Sequence, residues 1–148
     1  MASDNSDTNR NAQPKNLVTQ DAQIRVLEEI QQVYKDLNIG IQCEEKPVPV
    51  HDLIATQDGI EKDKFEVVKQ MVSEGKLDVP IIVEEHFVDG DYKRYVLDGH
   101  CRTRARIELG KRYIDAYVIW SEAGDFRSNF VSVAEQYGNV RVKDLKLV

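Results

Sequence analysis

Tyr95-Val-Leu-Asp-Gly-His-Cys-Arg-Thr-Arg-Ala-Arg-Ile-Glu-Leu-Gly110 reads as a buried strand, a glycine turn and a helix whose first turns carry His100, Arg102, Arg104 and Arg106. That order makes an anion site. The first N–H groups of a helix have no partner inside it, and a glycine at position 99 lets another group come close to them. Gly110 then closes the helix as the residue after its C-cap.

The stretches on either side give this segment a sheet to stand on. Upstream, Val79-Pro-Ile-Ile-Val83 fits a core strand, and Asp89-Gly90 predicts a hairpin turn leading into a strand over 92–97. Downstream, 114–120 is almost continuously apolar, as expected of a strand buried on both faces. A helix is predicted over 61–74, with Phe65, Val68 and Val72 on one stripe, Val67 and Met71 beside it, and Gly75 as its stop. Its acidic first residues, Glu61 and Asp63, suit the helix dipole whatever else they do. Ile24, Leu27, Ile30, Tyr34 and Leu37 predict an earlier amphipathic helix that ends at Asn38-Ile-Gly40. A short extended segment over 46–50 carries prolines that suit a strand at a sheet edge, and 55–59 reads as a polar loop. Phe126, Phe130, Val133, Ala134 and Tyr137 predict a last helix, and 140–148 a final edge strand. The order helix, strand, helix, strand, strand, helix, strand, helix, strand predicts a small mixed α/β domain of the α+β class.

With 148 residues, 41% apolar and 31% charged, the chain fits one globular domain with added segments. Residues 1–18 hold almost no apolar side chains and are expected to be a flexible tail. The region 19–45 is expected to be a helical extension, 46–120 the core, and 121–148 a C-terminal helix and strand. No apolar run approaches a membrane span and Met1 to Arg10 lacks a signal-peptide centre, so a cytoplasmic protein without membrane contact is expected. Cys43 and Cys101 lie far apart and in no metal-like spacing. The net charge is −6, yet between Tyr92 and Arg112 seven basic residues stand against Asp98 and Glu108, a local +5 that leaves −11 elsewhere. A basic patch on an acidic chain suits a small anion better than a long polyanion. His51 and His86 show no partner at useful spacing and read as surface or strand residues, while Tyr92, Tyr95 and Tyr117 read as core or rim.

From 46 to 120 the residues resemble the ParB/sulfiredoxin-like superfamily. The similarity includes Val48-Pro-Val-His-Asp-Leu53, Glu74-Gly75, Pro80-Ile-Ile-Val83, and above all Val96-Leu-Asp-Gly-His-Cys-Arg102 followed by Glu108-Leu-Gly110. The last loop looks closest to the Asp-Gly-His-His-Arg loop of archaeal free serine kinases. ParB proteins have Gly-Glu-Arg-Arg there, and sulfiredoxins Gly-Gly-Cys-His-Arg. In these branches the loop and its helix hold nucleotide phosphates. Carried onto this chain, the resemblance implies that Gly99 gives close approach, His100, Cys101 and Arg102 face the phosphates, and Asp98 positions a metal or orients His100. It further implies ADP or ATP as ligand, with CTP as a third candidate, together with Mg²⁺ and a small acceptor substrate. The kinase glutamate lies in the loop after the first strand. Here that loop holds Asp58, the nearest candidate for a catalytic base, with Glu61 in reserve. A sulfiredoxin-like thiolate at Cys101 is a minor alternative, helped by the helix N-terminus. The leading expectation is a nucleotide-dependent phosphotransferase or hydrolase. The runner-up is a non-enzymatic ParB-like module that binds DNA or a protein partner, although only about thirty residues follow Trp120, too few for the paired-helix DNA reader of ParB proteins.

Overall fold

The computed structural model describes residues 18–122 and 126–148, so the tail expected over 1–18 lies outside the described residues except for Val18. The elements are α1 (Gln20–Asp36), β1 (Ile41–Pro49), α2 (Lys62–Ser73), β2 (Ile81–Val88), β3 (Asp91–Asp98), α3 (His100–Glu108), β4 (Tyr113–Ser121), α4 (Asn129–Gln136) and a 3₁₀ turn at Val142–Asp144. The class is α+β, as the element order implies. Among the described residues no helix is long and apolar enough to cross a membrane.

The sheet has the order β1-β4-β2-β3. β4 is central, antiparallel to β1 from Ile41↔Ser121 to Pro49↔Tyr113 and parallel to β2 from Ile81↔Ala116 to Glu84↔Ile119. That position explains its continuous apolar run: Ile114, Ala116, Tyr117, Val118 and Ile119 are all buried. The β2–β3 hairpin turns on Asp89 (φ 53°) and Gly90 (φ 79°), the left-handed pair that a two-residue turn of this hand requires.

Side chains alternate across this sheet and give it a core on each face. On one face Val48, Ile81, Val83, Val96, Ile114, Ala116 and Val118 pack with Phe65 of α2 and Ala105 of α3. On the other, Ile82, Tyr95, Leu97, Tyr117 and Ile119 pack with Leu27 and Tyr34 of α1 and with Val131 and Ala134 of α4. The helices therefore sandwich the sheet, and the loop at 98–100 runs between the two layers.

Three expectations need correction. β1 begins at Ile41, inside the stretch expected to be helical extension, because pairing with β4 overrides the weak strand preference of Glu44 and Glu45. The final edge strand is instead the 3₁₀ turn with single bridges at Ile54↔Arg141 and Ile60↔Leu147. There Val142 and Leu145 drop into the core while their carbonyls accept from Arg104 Nη1 at 3.1 and 2.6 Å. The last helix starts only after Ser128, whose side chain caps Val131 N–H, so Phe126 precedes it and Tyr137, at its C-cap, is exposed. Both sheet edges are occupied or blunted. β1 carries Pro47 and Pro49, and beside β3 the backbone of Ile54 donates to Arg94 O and accepts from Val96 N–H, each at 2.9 Å.

His86, read from the sequence as unpartnered, sits 2.6 Å from Glu84 through its Nε2, two residues along the same strand face. Glu84 is 2% exposed and also accepts from Tyr34 Oη at 2.6 Å. Burial opposes its ionisation, and hydrogen bonds with His86, Tyr34 and Ser128 outweigh that, so the carboxyl is held below its ordinary value. Both α1 and α4 are thereby tied to β2. Tyr34→Phe removes one donor from this buried carboxylate and is expected to destabilise the fold by about 1.5–3 kcal/mol in urea melts.

Candidate functional site

The pairing of β2 with β3 slips between Ile82↔Asp98 and Val83↔Val96, leaving Leu97 as the extra residue of a bulge just before Asp98. The chain then passes through Gly99 at φ 113°, ψ 27°, directly into α3. A Cβ on Gly99 would meet Ile81 Cγ2 at 2.3 Å. The glycine is thus needed by the packing behind the loop as well as by any ligand before it.

Thr103 N–H makes the first bond of α3, to Gly99 O at 2.9 Å, so the N–H groups of His100, Cys101 and Arg102 precede the ladder. They meet a second helix start. Glu61 caps the backbone of α2 without a side-chain bond, and the cavity between the two helices, about 580 Å³, is lined by Gln57, Glu61, Asp63 and Lys64 on one side and by Asp98 to Arg102 on the other. Its remaining wall is apolar, made by Val18, by Ala22 and Val26 of α1, and by Val67, Val68 and Leu77.

The loop side chains are held from behind. Thr56 N–H donates to His100 Nε2 at 3.0 Å, which places the ring proton on Nδ1. Burial lowers the His100 pKa to about 4, with Asp98 opposing and Lys64 assisting, so the ring is neutral at ordinary pH. Arg102 donates through Nη1 to Val79 O at 2.8 Å and Pro80 O at 3.0 Å, and through Nη2 to Gln23 Oε1. Burial brings its pKa down to about 10, with Asp98 opposing, and it stays a cation. Gln23, fully buried, turns its Nε2 to Asp98 Oδ2 at 2.8 Å. Cys101 is half-buried, and burial pushes its thiol up against the pull of Lys64 and Arg102. That is the opposite of what thiolate chemistry needs.

The residues expected from the sequence fall into two groups. Asp98, Gly99, His100, Cys101, Arg102 and Glu61 share the cavity, whereas Asp58 is exposed and outside its lining. Part of the expected +5 patch is engaged: Arg94 pairs with Glu85 at 2.8 Å, Arg104 with Glu108 at 2.8 Å, and Arg106 donates to Tyr113 O at 2.8 Å, while Lys93, Lys111 and Arg112 are exposed. The charged lining is Glu61, Asp63 and Asp98 against Lys64 and Arg102. Among the described residues no group of three or more His, Cys, Asp or Glu side chains could hold a metal alone. Asp98 offers a single carboxylate, a donor set that fits Mg²⁺ held partly by a ligand's phosphates. Gln23, Thr56 and Lys64 were not expected at the site. Gln23 did leave a signal, a polar residue one turn ahead of Leu27 on the apolar stripe of α1.

No family model matches the chain. It is 33% identical over 123 residues to the uncharacterized protein MJ0188 of Methanocaldococcus jannaschii, covering 82% of this chain and 44% of that protein, so it spans less than half of this relative's length. Solved structures similar to it include the following three. Sulfiredoxin from Arabidopsis thaliana matches at 25% identity and a TM-score of 0.40, over 51% of this chain and 83% of that one. A Pnob8-like ParB-N domain matches at 14% and 0.45, over 67% and 38%, and protein Atu1540 from Agrobacterium tumefaciens at 17% and 0.43, over 67% and 50%.

Gly99→Ala forces the Ile81 contact and a left-handed alanine together, and is expected to remove about 2–5 kcal/mol of stability. Adding Ile81→Ala should relieve the clash and leave the backbone part, a difference that chemical denaturation resolves. The His100 pKa of about 4 in the folded chain lies below the ordinary 6.5. Between these values the unfolded chain binds more protons, so stability is full above pH 6.5 and is lost as pH falls toward 4, by roughly 3 kcal/mol. His100→Gln, which keeps an acceptor for Thr56, should remove that slope from the pH dependence of unfolding.

Proposed function

We propose that the chain is a nucleotide-binding protein of the ParB/sulfiredoxin-like superfamily that works as a Mg²⁺-dependent phosphotransferase or nucleotide hydrolase on a small substrate. The observation that carries this is the meeting of two helix N-termini with Asp98 in one cavity of about 580 Å³. That volume falls within the range of small-molecule sites, and unpaired N–H groups at two helix starts favour phosphate oxygens. An apolar wall beside the phosphate floor suits a ligand with an anionic end and a flat or apolar body, as ADP, ATP and CTP have.

In this reading the N–H groups of Cys101 and Arg102 take phosphate oxygens, and Lys64 adds mobile charge across the cavity. Arg102 supplies positive potential from behind the loop, since its guanidinium is tied to Val79, Pro80 and Gln23. His100 stays neutral and fixes Thr56. Bound Mg²⁺ would neutralise charge that develops on the phosphates, with Asp98 as its protein ligand. Glu61 takes the place of Asp58 as the group that accepts the acceptor's proton, because Glu61 alone of the two lines the cavity. The likeness of the Asp98 to Arg102 loop to that of free serine kinases supports transfer to a hydroxyl.

A DNA-binding module is less well supported. Arg94 and Arg104 are paired with Glu85 and Glu108, and the exposed cations Lys93, Lys111 and Arg112 stand on a chain of net charge −6. Such a surface gives phosphate backbones little to neutralise.

Calorimetric titration with ADP, ATP and CTP in the presence of Mg²⁺ is expected to show binding of at least one nucleotide, and no heat from any of them overturns the reading. Glu61→Gln should leave that affinity within about threefold while lowering turnover by about 10²–10⁴-fold, the usual contribution of a positioned base. Unchanged turnover removes Glu61 from the mechanism.

A further inference from the structure

Gln23 belongs to α1, outside the stretch 46–120 that resembles the superfamily, yet its side chain is the only described link between Asp98 and Arg102. Its amide is fully buried and both ends are used. Arg102 can only donate, so Oε1 must face the guanidinium and Nε2 must face Asp98. The assignment of the amide follows from chemistry.

The spacer has a consequence for the carboxylate. Asp98 lies close enough to Arg102 to act on its charge, yet no ion pair joins them within 4.0 Å among the described residues. A carboxylate and a guanidinium at such range in a half-buried loop attract strongly and pair in a fork when nothing intervenes. Gln23 occupies one donor of Arg102 and one oxygen of Asp98, and Oδ1 of Asp98, a residue that lines the cavity, has no hydrogen bond among the described residues. Arg102 meanwhile keeps Nη1 on Val79 and Pro80.

We propose that Gln23 is a positioning residue that holds Asp98 away from Arg102, so that one carboxylate oxygen stays available to a divalent cation accompanying an anionic ligand. The proposal rests on the site reading above, and its consequence is that α1 is part of the site. Without the amide, Asp98 turns onto Arg102, the carboxylate is withdrawn, and cation-assisted binding fails while the helix N-termini still attract phosphate.

The test compares ADP binding with and without Mg²⁺ in the full chain. In Gln23→Met, of similar length but without donor or acceptor, the gain in affinity that Mg²⁺ brings should fall at least tenfold, with Mg²⁺-free affinity within about threefold of the unsubstituted chain. Gln23→Glu keeps an acceptor for Arg102 and adds a carboxylate that repels Asp98 from the guanidinium, so it should retain most of the Mg²⁺ gain. A folded Gln23→Met that retains the full Mg²⁺ gain overturns the proposal, as does one that loses both modes of binding equally, or a Gln23→Glu that loses the gain as fully as Gln23→Met. Crystal structures of the unsubstituted chain and of Gln23→Met without ligand form the second arm. Asp98 should lie within 4.0 Å of Arg102 nitrogen only in the variant, and an unmoved Asp98 also overturns the proposal. If the unsubstituted chain binds no nucleotide, the site reading fails, and this arm still decides whether Gln23 holds Asp98.

Discussion

Arg102 is 6% exposed, and the bonds of its guanidinium to Val79 O, Pro80 O and Gln23 Oε1 bring three parts of the chain to one point. A buried cation with no carboxylate in direct contact is tolerable only where dipoles replace its water, and here two backbone carbonyls and one side-chain amide do so. The entry to β2, the start of α3 and the first turns of α1 are thereby aligned. Gly99 lies directly above, with no room for a Cβ between it and Ile81. The shape of the cavity follows from this packing, since its floor is the backbone that Arg102 supports.

The strand-turn-helix at 95–110 was legible in the sequence because each of its signals is local: an apolar run, a glycine, basic residues at helical spacing and a closing glycine. The hairpin at Asp89-Gly90 and the buried β4 were legible for the same reason. What escaped were non-local partners. Nothing near Arg94, Arg104 or Arg106 in sequence shows that Glu85, Tyr113 and the carbonyls of Val142 and Leu145 will take up their donors. Of the basic cluster, Arg94 and Arg104 are neutralised by Glu85 and Glu108, while Lys93, Lys111 and Arg112 stay exposed. Asp58 and Glu61 are both exposed carboxylates, and only the fold shows that Glu61, at the N-cap of α2, lines the cavity while Asp58 does not. Gln23 shows the reverse case, a polar residue on an apolar stripe whose meaning depends on partners 75 and 79 positions away.

At the loop, ionisation is governed by burial, and at Glu84 by hydrogen bonds. His100 is kept neutral and Cys101 protonated by loss of water, whereas Glu84 ionises because three hydrogen bonds oppose its burial. The loop therefore presents to the cavity the N–H groups that precede the ladder of α3, with the Arg102 cation behind them and Lys64 of α2 across from them.

The two borders of the sheet limit how this molecule can be approached. On β1 the imino nitrogens of Pro47 and Pro49 have no hydrogen to donate, and on β3 Ile54 already bonds to Arg94 and Val96. A stranger's strand meets an interrupted ladder at these points, and on β1 the uninterrupted outer edge is confined to the residues before Pro47.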